Sequence, residues 1–130
     1  MSDGTVSVYE AVGGTAFFER LVGDFYEGVA GDEVLAPLYP EAPDFSGARR
    51  RLTLFLIQYW GGPGTYSAER GHPRLRMRHF PFPVGPLQRD RWMVHMTKAV
   101  EANTPEDEVR EALLRYFVMA SEQMINRPGD

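Results

Sequence analysis

Apolar side chains recur along most of the chain at the three- and four-residue steps of a helix. The clearest run shares one face and predicts an amphipathic helix; its positions are Phe17, Phe18, Leu21, Val22, Phe25, Tyr26 and Val29. Gly13 and Gly14 stand directly before this run and predict a tight corner after a short first helix.

A second helix is predicted from Ser46 or Gly47 to Trp60, where Gly61 and Gly62 end it. Its inner face would carry Ala48, Leu52, Phe55, Leu56, Tyr59 and Trp60. A third helix is predicted from Pro86 to Ala102, with inward positions at Trp92, Met96, Ala99 and Val100.

The last helix is predicted to begin with Thr104 as its N-cap and Pro105 at its first position, followed by acidic residues. Its buried stripe would carry Leu113, Phe117, Ala120 and Met124. A short helix could also begin at residues 32–35 and end near Pro37. No pair of strands is visible, so the sequence predicts an all-α fold.

Residues 74–79 alternate polar and apolar positions, a pattern that on its own would favour a strand. Pro73 and Pro81 bracket the segment closely, and no partner strand is visible. We therefore favour one helical turn, in which Leu75 and His79 would share a face.

Length and composition indicate one ordinary globular domain. The chain has 130 residues, of which 43% are hydrophobic and 25% charged, and it has no cysteine. Disulfides, thiolate ligands and cysteine nucleophiles are therefore excluded. No apolar run reaches the roughly 20 residues of a membrane span, and residues 1–4 resemble no secretion signal, so we expect a cytoplasmic protein.

Charge is distributed unevenly along the chain, whose net charge is −4. Between residues 45 and 78 the only acid is Glu69, whereas the arginines in that interval are Arg49, Arg50, Arg51, Arg70, Arg74, Arg76 and Arg78. This basic middle suits a small anionic group better than a long nucleic acid, which would need a broader positive field. The alternative is a solvated, arginine-rich surface.

Of the three histidines, His79 is the strongest candidate for a metal ligand. His72 precedes a proline in a loop, and His95 follows Trp92 on a helix, so both have simpler structural explanations. No pair of histidines has the spacing of a zinc site. A metal held by one imidazole takes its other ligands from a macrocycle, and an apolar setting with nearby arginines suits haem with its propionates.

Three polar aromatic side chains could supply hydrogen-bond donors to a ligand. Tyr26 interrupts an apolar helix face, Tyr39 lies at a predicted corner, and Trp92 lies on the inward face of another helix. The alternative is that these groups are ordinary core residues bonded to backbone carbonyls. No phosphate-binding loop, dinucleotide fingerprint or nucleophile elbow is present in the sequence.

The chain resembles the truncated haemoglobins, specifically the second group, often called truncated haemoglobin O. The similarity runs from about residue 9 to about residue 126 and is strongest in three segments. These are QYWGGP at 58–63, YS at 66–67 and GHPRLRMRH at 71–79. The resemblance implies a truncated globin fold, a two-over-two helical sandwich, over residues 9–130, preceded by a flexible extension over residues 1–8.

The resemblance also implies haem b (iron protoporphyrin IX) with His79 as its proximal iron ligand. Tyr26, Tyr39 and Trp92 fall on the family's distal hydrogen-bonding positions, and Ala48 stands where many globins place a distal histidine or glutamine. The remaining residues implied to contact haem are Arg51, Leu52, Phe55, Leu56, Tyr66, Leu75, Arg78, Phe82 and Met96, with Arg51, Tyr66 and Arg78 assigned to the propionates.

The function that follows from this resemblance is reversible binding of dioxygen and other diatomic ligands at ferrous haem iron. Tight hydrogen bonding to the ligand would suit redox chemistry, either dioxygenation of nitric oxide or a peroxidase-like reaction with hydrogen peroxide. Sustained turnover would need an external reductase. The alternatives are a non-enzymatic oxygen carrier and a haem-based sensor or interaction module.

Overall fold

The computed structural model describes residues 6–127. Seven α-helices follow one another in the order α1 Val8–Ala11, α2 Thr15–Ala30, α3 Ser46–Tyr59, α4 Thr65–Arg70, α5 Leu75–His79, α6 Pro86–Asn103 and α7 Asp107–Gln123, with a 3-10 helix at Ala36–Leu38. The described residues contain no strand, so the all-α prediction is confirmed. Of the flexible extension predicted for residues 1–8, residues 1–5 lie outside the described residues, and Val8 is the first residue of α1.

The four long helices form two packed layers. Helix α2 packs against both α3 and α6, and α6 packs against α7. This arrangement is the two-over-two helical sandwich that the sequence predicted. The predicted inner face of α2 is buried along its whole length, and it meets Met96, Ala99 and Val100 of α6 in one continuous core. No helix among residues 6–127 is long and apolar enough to cross a membrane.

A close approach fixes the N-terminal helix to the end of α3. The amide of Tyr9 donates to the carbonyl of Trp60 at 3.0 Å. A Cβ on Gly62 would lie 2.7 Å from both Ile57 Cγ2 and Tyr9 Cδ1, so only glycine fits here without displacement. The glycine pair at the end of α3 thus serves packing as well as helix termination, and Gly61 has a positive φ of 105°.

Two predictions about the helices were wrong in detail, and one helix was missed. Tyr59 was assigned to the inner face of α3, but it is 49% exposed and stacks on Tyr116 instead, with ring centroids 4.2 Å apart. Thr104 is not the N-cap of the last helix, because its side chain is buried in the corner that closes α6. Helix α7 begins at Asp107, and α4 was not predicted at all.

Candidate functional site

His79 lies at the end of α5 with its imidazole exposed, on the same face as Leu75 one turn earlier. His79 Nδ1 is 2.7 Å from the carbonyl oxygen of Leu75, which can only accept a hydrogen bond. Nδ1 therefore carries the proton in the neutral ring, and Nε2 keeps its lone pair. Among the described residues, Nε2 has no hydrogen-bond partner, so the imidazole is oriented as a metal ligand requires.

Arg78 fixes the loop that leads into α5. Its Nε donates to the carbonyl of Pro73 at 2.6 Å and its Nη2 to that of Arg70 at 2.8 Å. The same guanidinium lies 5.9 Å from the ring centroid of Tyr66, which is buried. The structure thus brings together Arg78 and Tyr66, two of the three residues assigned to the propionates.

Asn126 holds the segment that follows His79, and sequence analysis missed it. Its Nδ2 donates to the carbonyls of His79 at 3.0 Å and Phe82 at 2.9 Å, while its Oδ1 accepts from the amide of Val84 at 2.9 Å. The partners are more than 40 residues apart in the chain, so no local pattern could have indicated this contact. Asn126 therefore anchors the candidate ligand helix to the C-terminal segment.

His72 is not part of this arrangement. It is exposed in the loop, where its Nδ1 accepts a hydrogen bond from the amide of Arg74 at 3.1 Å. Arg74 has a left-handed backbone with a φ of 44°, so the bond stabilises a conformation that non-glycine residues seldom adopt. The structural role predicted for His72 is confirmed.

The three candidate distal donors belong to one aromatic cluster. Tyr26 contacts Tyr39, with ring centroids 5.6 Å apart, and Phe25, at 4.9 Å. Phe25 in turn contacts Trp92 at 5.0 Å, and Phe45 closes the cluster against both tyrosines. Side chains from α2, α6 and the segment before α3 therefore meet in one cluster.

Burial further favours the protonated form of both tyrosines in this cluster. Burial, reinforced by the neighbouring Tyr39, raises the pKa of Tyr26 far above its usual range, although the Arg51 charge opposes the shift. Burial also raises the pKa of Tyr39. Each hydroxyl therefore keeps its proton at neutral pH and can donate a hydrogen bond to a ligand that carries negative charge.

Helix α3 supplies an apolar wall. Ala48, Phe55 and Leu56 are buried, whereas Leu52 is half-buried against the core. Phe55 contacts Tyr66 at a centroid distance of 5.7 Å, which links this wall to α4.

The other residues predicted to contact a cofactor differ in how deeply they are buried. Arg51 lies near the protein surface, where its guanidinium is 3.7 Å from the Glu41 carboxylate. Phe82 is half-buried after α5, and Met96 is completely buried in the core.

A second anchor, also missed by sequence analysis, lies behind the distal cluster. The Asp32 carboxylate is fully buried and accepts hydrogen bonds from His95 Nε2 at 2.7 Å and Arg91 Nε at 3.1 Å. It also accepts from the amides of Val34 and Leu35. Burial alone would raise the pKa of Asp32, but these hydrogen bonds hold it well below its usual range.

This anchor joins the end of α2 to α6 on either side of Trp92. Asp32 and His95 are 63 positions apart, so their contact could not be read from spacing. His95 therefore forms its hydrogen bond with Asp32 and not with the helix that carries the candidate ligand. Within residues 6–127, no group of three or more histidine, cysteine, aspartate or glutamate side chains could hold a bare metal ion.

Comparison with known proteins agrees with this geometry. Residues 7–126 match the bacterial-like globin family. The chain is 39% identical over 119 residues to the group 2 truncated hemoglobin of Bacillus subtilis, an alignment that covers 92% of this chain and 88% of the relative.

Two solved structures are similar to this chain over most of its backbone. A thermostable hemoglobin from Thermobifida fusca is 53% identical with a TM-score of 0.92, covering 95% of this chain and 100% of that one. The truncated oxygen-avid haemoglobin from Bacillus subtilis is 38% identical with a TM-score of 0.86, covering 93% of this chain and 100% of that one.

Proposed function

The chain belongs to the bacterial-like globin family, and we propose that it holds haem b through His79 and retains dioxygen by hydrogen bonds from Tyr26, Tyr39 and Trp92. Proteins of this family bind haem and, through its iron, small diatomic ligands such as oxygen. The observation that carries the proposal is the orientation of His79, whose Nδ1 bond to Leu75 leaves Nε2 available.

The apolar residues assigned to the cofactor fit haem in their chemistry. Leu52, Leu75 and Trp92 pack against the core yet remain only half-buried, which provides apolar surface for a flat, apolar macrocycle. Haem would supply an iron that can bind a protein imidazole and a small diatomic ligand. His79 would provide that imidazole, and the other half-buried side chains would exclude water from the ring.

Tyr66, Arg78 and Arg51 would hold the propionates. Arg78 uses Nε and Nη2 for loop carbonyls, and its Nη1 has no partner among residues 6–127. That nitrogen is the donor we assign to a carboxylate, because a guanidinium can bind carbonyls and a carboxylate at once. Arg51 would exchange its exposed contact with Glu41 for the second propionate.

Retention of the ligand would depend on the three donors. Each hydrogen bond to a ligand with developing negative charge contributes about 1.5–3 kcal/mol, which corresponds to about 10- to 150-fold in the dissociation rate. Ala48 is buried on α3 and carries no polar group, so it cannot replace them. The description of the Bacillus subtilis relative as oxygen-avid supports tight binding in this chain.

Slow release favours chemistry on the ligand over its delivery. We propose that the protein uses bound oxygen to convert nitric oxide to nitrate, or reduces hydrogen peroxide to water, with electrons from an external reductase. The role of Tyr26, Tyr39 and Trp92 in either reaction is to donate hydrogen bonds as negative charge builds on the ligand oxygen.

Stopped-flow measurement of oxygen dissociation from the ferrous protein tests this proposal. Trp92→Phe and Tyr26→Phe should each accelerate dissociation by about 10-fold or more. Tyr116→Phe is the matched control, because Tyr116 packs on Tyr59 and Trp60 outside the distal cluster and should leave the rate unchanged.

Two results would contradict the proposal at different points. Unchanged dissociation rates in both distal variants would refute the hydrogen-bonding role while leaving haem binding intact. An intense Soret band that survives in His79→Ala would refute the assignment of the iron ligand.

A further inference from the structure

The outer side of α5 carries unneutralised positive charge. Arg70, Arg74 and Arg76 are exposed, and none of them has a carboxylate within ion-pair distance among residues 6–127. No acidic residue occurs between Glu69 and Asp90 in the sequence. In a chain of net charge −4, this concentration of positive charge is local and distinct.

Two large apolar side chains are exposed beside these arginines. Met77 is 58% exposed and Phe80 is 61% exposed. Arginine, methionine and aromatic residues are the types enriched where proteins bind one another. We call the group formed by Arg70, Arg74, Arg76, Met77 and Phe80 the α5 surface.

The α5 surface extends from the side of the helix opposite the candidate iron ligand, at Met77, to the side next to it, because Arg76 lies about one turn before His79. Met77 precedes His79 by two residues, which places it about 200° around the helix axis from the imidazole. The hydrogen bonds of Arg78 to Pro73 and Arg70 hold the loop and the helix in a fixed relation. The distance between a partner bound here and the imidazole would therefore be little more than the width of one helix.

We infer that the α5 surface docks a small acidic protein that carries a one-electron cofactor and reduces the haem iron. This inference rests on the proposed haem binding by His79. One electron leaves the reduced partner, whose cofactor is oxidised, and converts ferric iron to the ferrous form that binds oxygen. An acidic partner would be repelled by most of this acidic chain and attracted by the α5 surface, so charge would orient the encounter.

A plant-type ferredoxin, chosen as an acidic one-electron carrier, provides the probe. The reduced ferredoxin is mixed anaerobically with the ferric haem protein, and the Soret shift gives the rate of reduction. Arg74→Glu with Arg76→Glu should slow this rate by about 10-fold or more at low ionic strength. The difference should vanish in about 1 M salt, where screening extends over only about 3 Å.

Matched controls separate docking from net charge and from folding. Arg20→Glu with Arg115→Glu changes the net charge equally at exposed arginines outside the α5 surface, and its rate should stay close to wild type. The milder pair Arg74→Gln with Arg76→Gln should give an intermediate rate. Surface plasmon resonance with oxidised ferredoxin should show the same order of affinities, independently of electron transfer.

The outcomes distinguish this inference from the function on which it rests. A wild-type protein that takes up no haem would refute both. A haem-loaded, oxygen-binding protein that is reduced equally fast in the wild type and in the Arg74→Glu, Arg76→Glu pair would refute docking alone. Binding of phosphatidylglycerol vesicles to the α5 surface, with no binding of ferredoxin, would replace the protein partner with an anionic membrane.

Discussion

Gly28 leaves the space that the His95 ring occupies. A Cβ at this position would come within 3.0 Å of His95 Cγ and still closer to Nδ1, so Gly28→Ala must displace the ring. The displacement would break the 2.7 Å contact between His95 Nε2 and Asp32. A hydrogen bond to a buried charge contributes about 1.5–3 kcal/mol, whereas replacing glycine by alanine within a helix gains about 1 kcal/mol.

We therefore expect Gly28→Ala to lower the free energy of unfolding by about 0.5–2 kcal/mol. In the His95→Ala background the obstruction is gone, and the same substitution should stabilise the protein by up to about 1 kcal/mol. Urea unfolding followed by circular dichroism, with every variant saturated with haem, measures both values. The diagnostic result is that Gly28→Ala lowers the free energy of unfolding in the wild type and raises it in the His95→Ala background.

Gly31→Ala is the control for introducing an alanine at the end of α2 without displacing the His95 ring. Its Cβ would meet only the carbonyl of Gly28, at 3.9 Å, so the change should remain within about 0.5 kcal/mol of wild type. If Gly28→Ala destabilises the protein equally with and without the His95 side chain, the ring is not the obstacle. The assignment of Gly28 to the Asp32 anchor would then be wrong.

Three further substitutions test the anchors and the loop. Asp32 stabilises the wild type at pH values above the unfolded pKa of about 4, and this stabilisation is lost as pH falls towards the lowered folded pKa. Asp32→Asn removes the stabilisation, so the difference in unfolding free energy between the wild type and Asp32→Asn should narrow in acid. Asn126→Ala should cost about 1–3 kcal/mol and speed haem transfer to a competing apoglobin, and an unchanged transfer rate would remove its link to His79. Arg78→Lys loses the forked contact with two carbonyls and should also speed haem transfer, while oxygen dissociation from the ferrous protein should stay at the wild-type rate.

Periodicity predicted the helices that build the core. The apolar stripe of α2 and the inward positions Met96, Ala99 and Val100 of α6 are buried as expected, because burial of one helix face produces a regular repeat. Thr104 shows where a local signal fails. Its threonine-proline-acid pattern is typical of a helix start, but burial of the side chain ends one helix there, and the next begins at Asp107.

The sequence displays the residues proposed for the candidate site, but it does not display the groups that support them. Tyr26 was recognisable because a polar group interrupts an apolar face, and His79 because an imidazole follows Leu75 by one turn. Asp32 and Asn126 gave no such signal, because each makes its contacts with residues distant in the sequence. Tertiary hydrogen bonds of this kind depend on the completed fold, and a single sequence carries no periodic trace of them.

These two anchors suggest how the site keeps its geometry without rigid packing around the ligand. Among the residues proposed to contact haem, Leu75, Phe82 and Trp92 are half-buried and His79 is exposed, so packing alone constrains these four side chains weakly. Asp32 ties α6 to the end of α2 beside Trp92, and Asn126 ties the segment after His79 to the C-terminal chain. Substitutions at Asp32 or Asn126 should therefore alter ligand kinetics through the position of Trp92 or His79, although neither anchor belongs to the proposed ligand contacts.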